Sequence, residues 1–142
     1  MDSTQKTITI RASVRAPLEQ VWELWTKPEH IIHWNFASDD WRCPSAINDL
    51  REGGRLSWRM EALDGSQGFD FAGTYDEVVP LKRIRYTIDD GRKTIITFTP
   101  AGDVTEVVET FDIEGSYPIE MQRDGWQAIL DNFKKYAESQ AR

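Results

Sequence analysis

Residues 83–113 read RIRYTIDDGRKTIITFTPAGDVTEVVETFDI. The stretch divides into three runs, R-I-R-Y-T-I-D, K-T-I-I-T-F-T and T-E-V-V-E-T-F-D-I, each rich in the β-branched and aromatic residues that suit a pleated, half-buried surface. Asp90-Gly91 between the first two is a two-residue hairpin signal, and Pro100-Ala101-Gly102 marks the next turn. Connections this short force neighbouring strands to run antiparallel. The same texture extends back toward the N-terminus. S-A-I-N-D-L-R, from residue 45, ends at Gly53-Gly54; R-L-S-W-R-M-E-A ends at Asp64-Gly65; F-D-F-A-G-T-Y-D-E-V-V ends at Pro80. Six successive strands predict an antiparallel meander.

The flanks complete the architecture. In residues 6–14, Ile8, Ile10, Ala12 and Val14 alternate on one side, as in a half-buried strand. Pro17 then opens a helix with Leu18, Val21, Trp22 and Trp25 at helical spacing, and Pro28 opens a second short one through about His33. From about Pro118 to Glu138 a long helix carries Trp126, Ile129, Leu130, Phe133 and Tyr136 as its apolar stripe. Gly125 inside it is explained by close packing on the sheet. The order β-α-α-β6-α predicts an α+β fold, one domain over residues 1–142 with only the first few residues and the last four frayed. A curved antiparallel sheet wraps the long C-terminal helix and leaves a cavity beneath it.

Composition narrows the partners. The net charge is −7, and no basic run exceeds a pair such as Lys134-Lys135. That excludes the concentrated basic face needed by nucleic acid, and equally an anionic membrane surface. One cysteine, no apolar run of membrane-spanning length and an N-terminus lacking a signal segment predict a cytoplasmic protein. Six Trp, four Tyr and six Phe supply rings for a core or for cavity walls. Monomer and homodimer both remain open.

Candidate chemistry concentrates in two places. Residues 28–41, P-E-H-I-I-H-W-N-F-A-S-D-D-W, hold both histidines. His30 and His33 share a helix face, but the zinc-type spacing and a second histidine cluster are missing, so no metal is expected and both should face water. Asp39 and Asp40 read as turn residues. Cys43 lacks the oriented base of a catalytic thiol and reads as a packed one. Phosphate-cradling motifs are absent, so no cofactor is expected. In T-E-V-V-E-T-F, alternation puts Glu109 on the more apolar face with Val107 and Phe111. A carboxyl turned inward needs a partner or a raised pKa, and Tyr86 and Arg59 are candidate partners. Leu56, Trp58 and Met60 share a strand face, as do Ile84, Tyr86 and Ile88; Phe69, Phe71 and Tyr75 share parity around a gap at Gly73.

Seven segments, in this order, carry a resemblance: A-P-L-E-Q-V-W at 16–22, the Trp34 region, D-L-R-E-G-G-R at 49–55, D-G at 64–65, G-T-Y-D-E-V-V-P at 73–80, T-E-V-V-E-T-F at 105–111 and G-W-Q-A-I-L at 125–130. From Ile8 to about Tyr136 the chain resembles the helix-grip fold of the START-like (SRPBCC) superfamily. Within it the chain is similar to the group homologous to the C-terminal domain of the activator of heat-shock-protein-90 ATPase. The resemblance implies a ligand-accommodating cavity between the last helix and the sheet, in a superfamily of carriers, cyclases, sensors and resistance proteins. The expected function is non-covalent binding of a small hydrophobic or aromatic molecule, with Trp34, Phe36, Trp41, Trp58, Met60, Phe71, Tyr75, Tyr86, Glu109, Trp126 and Leu130 as ligand-binding candidates. Residues 28–44 would form a lid at its mouth. The alternatives are a cyclase- or hydrolase-type enzyme using the same cavity, with no catalytic residue assigned, and a module that engages a chaperone. The named co-chaperone uses an additional N-terminal domain, for which 142 residues leave no room.

Overall fold

The computed structural model describes residues 6–140. Strand β1 (Thr7–Val14) is followed by helices α1 (Leu18–Thr26) and α2 (Pro28–Ile31). Then come β2 (Trp41–Asn48), β3 (Arg55–Ala62), β4 (Gly68–Val79), β5 (Arg83–Ile88), β6 (Lys93–Ala101) and β7 (Val104–Asp112), and finally α3 (Ile119–Gln140). The strands form one curled antiparallel sheet in the order β1-β7-β6-β5-β4-β3-β2. The meander therefore runs unbroken from β2 to β7, and β1 adds to its far side with Ile10 opposite Glu109. This is the helix-grip arrangement, and α3 lies against the inner face of the sheet.

Alternation decides which residues reach that inner face. Ile8, Ile10, Ala12 and Val14 of β1 are buried while their neighbours are exposed. Val107, Glu109 and Phe111 of β7, and Ile84, Tyr86 and Ile88 of β5, follow the same period. Helix α3 meets the sheet and α1 through rings. Trp126 stacks on Phe111 with centroids 3.8 Å apart, and Phe133 takes Trp25 and Trp34 edge-on at 4.8 and 4.9 Å. Leu130, Phe133 and Ala137 are the most deeply buried residues of α3. Fully burying a side chain the size of Phe133 contributes about 1.5–3 kcal/mol.

Several local expectations are corrected. Strand β2 begins at Trp41, four residues earlier than the sequence suggests, and absorbs Pro44 because it is an edge strand with a register shift between Arg42 and Ser45. The β5–β6 connection is a three-residue loop, not a two-residue one. Ile88 N–H donates to Arg92 O, Gly91 N–H donates back to Ile88 O, and Gly91 takes φ +97°. Helix α2 stops at Ile31, and α3 continues through Ser139 and Gln140. The other ends expected to fray, residues 1–5 and 141–142, lie outside the described residues.

Two glycines also read differently in three dimensions. Gly73 leaves no gap: a Cβ there would collide with the Thr87 carbonyl oxygen, so β4 and β5 come together only because the side chain is missing. Gly125 is the reverse case, since a Cβ there would meet no atom within 4 Å. It is not a packing glycine. Gly125→Ala is therefore expected to stabilise the protein by up to about 1 kcal/mol, through helix propensity alone, raising Tm by about 3 °C. Gly73→Ala should lower Tm. Thermal unfolding of both variants checks the pair, and a destabilised Gly125→Ala would contradict the open space at that position.

Candidate functional site

Between α3 and the sheet lies a pocket of about 240 Å³. Trp58, Met60, Phe69 and Phe71 wall it from β3 and β4, and Tyr86 and Glu109 from β5 and β7. Trp126 and Ile129 of α3, Trp25 of α1, the Trp34-Asn35 pair and Arg92 complete it. The sheet-side rings are locked together. Trp58 and Phe71 face each other across the β3–β4 register and stack at 5.3 Å, 5° from parallel. Tyr86 meets both edge-on at 6.1 Å. Each ring fixes the next, so the wall is organised before anything enters.

Into this apolar hollow project three polar side chains that are at least nine-tenths buried: Asn35, Trp58 and Glu109, at 5%, 8% and 6% exposure. Trp58 Nε1 has no hydrogen-bond partner among the described residues, and the Asn35 amide meets only the Cys43 thiol, a weak acceptor. Trp34 shows the ordinary solution, since its Nε1 donates to Leu24 O at 3.0 Å. Burial alone pushes the Glu109 carboxyl from the model-compound 4.5 up to about 8, with no hydrogen bond or neighbouring cation to offset it. Glu109 is thus mostly protonated at neutral pH. Burial first, and then the Glu109 charge, raises the nearby Tyr86 hydroxyl well above its usual range. Arg59 does not partner Glu109, because it lies on the opposite face of β3 with Glu61 at 3.0 Å and Asp70 at 3.6 Å.

Of the eleven residues singled out from sequence, seven line this pocket: Trp34, Trp58, Met60, Phe71, Tyr86, Glu109 and Trp126. The other four lie elsewhere. Leu130 is 1% exposed and packs in the core, although the adjacent Ile129 lines the pocket. Tyr75 is sealed below it, its hydroxyl donating to Asn48 Oδ1. Trp41 sits at the start of β2 with its ring 6.1 Å from that of Phe69. Phe36 borders a separate surface hollow with Ser38, Asp39, Asp131 and Lys135. Sequence reasoning did not single out Trp25, Asn35, Phe69, Arg92 and Ile129. Trp25, Phe69 and Ile129 carried a signal, each lying on an apolar stripe or strand face. Asn35 and Arg92 carried none, because tertiary folding alone brings a loop and a turn to the pocket.

The histidine stretch is anchored rather than free. Trp34 is 2% exposed, and Asn132 of α3 donates to its carbonyl at 2.9 Å; within the expected lid Ile31, Trp34, Asn35 and Cys43 are buried, and residues 36–42 are its longest exposed or half-exposed run. His30 does not simply face water: its Nδ1 lies 2.8 Å from the Tyr136 hydroxyl, while the exposed His33 ring stacks on the same tyrosine at 5.6 Å. Both histidines thus grip α3. Cys43 is buried, and its thiol is pushed up to about 11 by desolvation, which leaves it unreactive at neutral pH.

The buried carboxyl has a consequence for stability. Between pH 4.5 and about 8 the folded chain keeps a proton on Glu109 that the unfolded chain releases. Folding stability must therefore fall as pH rises through that window and level off above it. Glu109→Gln should remove this dependence and be the more stable protein at alkaline pH, by as much as several kcal/mol. Denaturant unfolding of both proteins across the window measures the difference. Parallel pH profiles for the two would contradict the raised pKa.

Comparison with known proteins agrees with this geometry. No curated protein matches the chain. Solved structures do. The AHSA1-like protein from Aeromonas hydrophila is 43% identical, with a TM-score of 0.89 over 94% of this chain and 93% of that one. A solution structure from Cytophaga hutchinsonii is 49% identical over the same shares, with a TM-score of 0.82. A crystal structure from Chromobacterium violaceum is 28% identical, with a TM-score of 0.84 over 94% of this chain and 99% of that one. Residues 15–138 match the family described as activator of Hsp90 ATPase homolog 1-like protein, and with its helix-grip fold the chain belongs to that START-like family.

Proposed function

We propose that the chain binds a small hydrophobic or aromatic molecule, non-covalently, in the pocket between α3 and the sheet. The observation that carries this reading is the combination of seven aromatic rings with three buried polar groups around one hollow. Nature rarely leaves a buried N–H without an acceptor. Apolar burial would supply affinity at about 25 cal/mol per Å², less the entropy lost on association. Few polar groups set in an apolar wall are what orients a small ligand. With its single, buried cysteine the protein suits a reducing compartment, and we place it in the cytoplasm.

The competing reading is an enzyme of the cyclase or hydrolase kind, and Glu109 is what favours it. A carboxyl that titrates near 8 inside a largely apolar pocket is poised to take or give a proton. Binding is preferred because the pocket shows no nucleophile and no second titrating partner placed against Glu109 other than Tyr86, whose hydroxyl is held neutral.

A thermal-shift screen with aromatic compounds of indole to naphthyl-ketone size tests the proposal. A binder present at about 100 times its Kd should stabilise the fold by about 2.7 kcal/mol. Trp126→Ala, which removes the ring on the helix side of the pocket, should weaken that shift. If no aromatic or apolar compound raises Tm, the binding reading fails. Turnover that vanishes in Glu109→Gln while binding persists would instead establish the enzyme.

A further inference from the structure

The pocket's polar groups are not a random set. Trp58 Nε1 can only donate and is without a partner, and Asn35 Nδ2, also a donor, meets only the Cys43 thiol, a weak acceptor. Glu109 is protonated at neutral pH and so offers a third O–H donor. The charged group on the lining is Arg92, whose Nε is 2.8 Å from Asp90. Glu109 lies beside Ile10 of β1 and Ile96 of β6 in the sheet, and Trp126 and Ile129 of α3 line the same pocket. Beyond these lie the titratable hydroxyls of Tyr86 and, behind it, Tyr75, both raised by burial and so neutral. Against these donors the chief side-chain acceptors of the lining are Asn35 Oδ1 and the carbonyl oxygen of the protonated Glu109, so donors are in the majority.

We infer that the pocket takes a flat aromatic or conjugated molecule that presents an acceptor oxygen, a carbonyl or its like, to Trp58, Asn35 and Glu109, and that it disfavours organic ammonium ions. This inference rests on the pocket reading above and narrows its ligand class. The rings alone do not decide the matter, because an aromatic box with one carboxyl also suits a cation. The unpaired donors decide it. An ammonium group has no lone pair for Trp58 or Asn35, and it would leave both N–H groups desolvated and facing a positive charge. A carbonyl oxygen has two lone pairs and can accept from two donors. The stacked Trp58–Phe71 wall and the stacked Phe111–Trp126 pair then hold the ligand's ring plane. Because Glu109 must keep its proton to donate, affinity for such a ligand should decline at pH above about 8.

Three compounds of one shape separate the possibilities: 2-acetylnaphthalene, 2-ethylnaphthalene and 1-(2-naphthyl)ethylamine. Their binding is measured by calorimetry on the full chain and on Glu109→Gln, Trp58→Phe and Asn35→Leu, with thermal unfolding confirming that each variant folds. The ketone should bind about tenfold tighter than the hydrocarbon, and the amine no tighter than the hydrocarbon. Trp58→Phe and Asn35→Leu should each erase much of the ketone's advantage while sparing the hydrocarbon. Glu109→Gln, which keeps a donor that does not titrate, should hold the ketone with an affinity that no longer changes with pH. Equal binding of all three compounds, or tightest binding of the amine, overturns the donor inference and leaves the pocket reading standing. Failure of all three to bind, in parent and variants alike, overturns both.

Discussion

The aromatic contacts that hold α3 over the sheet are the constraint on which the rest of this molecule depends. Toward its N-terminal half, Trp126 lies flat on Phe111 of β7; toward its C-terminal half, Phe133 receives the edges of Trp25 and Trp34. Rings this bulky at two points keep the helix from settling onto the sheet between them. The pocket occupies that interval, and its lining includes members of both contacts, Trp126 on one side and Trp25 and Trp34 on the other. Replacing either contact with small side chains would let the helix collapse inward and close the space. The cavity is therefore a property of how the core is packed, not a flaw in it.

The same packing explains how three poorly satisfied polar groups are tolerated. An unpaired buried N–H costs about 1–3 kcal/mol, and a neutralised buried carboxyl costs in proportion to its displaced pKa. The surrounding frame supplies the offset. The sheet is continuous through all seven strands, and the inner faces of β1 and β5 are almost wholly apolar. Surface ion pairs such as Arg55–Asp89 at 2.8 Å add little, since both partners are more than half exposed. Stability is made in the core and spent at the pocket.

The parts of this structure that were legible in the sequence are those governed by a local period. Strand β3 falls on Arg55–Ala62 as its alternation predicts, and the inward turn of Glu109 follows from parity with Val107 and Phe111. What was illegible depends on contacts between distant segments. Gly125 looked like a packing glycine, yet the helix passes over open space there. Asn35 and Arg92 reach the pocket from a loop and a turn, where no period exists to place them. Leu130 shares a helical stripe with Trp126 and Ile129, but its position on the helix turns it into the closed part of the core. Helical spacing identifies a buried face; it does not say which stretch of that face meets another surface and which meets a void.

His30 and His33 carry the same lesson from the other direction. Their spacing and neighbouring acids suggest a metal site or a solvated face, and the structure gives them to Tyr136. The turn that follows the short helix α2 carries Trp34, whose indole N–H is tied to Leu24 and whose carbonyl is tied to Asn132. Each of these contacts pins the segment that carries Asn35, so the pocket's most unexpected donor is set by residues that never touch the pocket. A side chain with no sequence signal of its own is thus positioned by its neighbours' signals, and the anchoring of residues 30–35 matters to the site through Asn35 more than through either histidine.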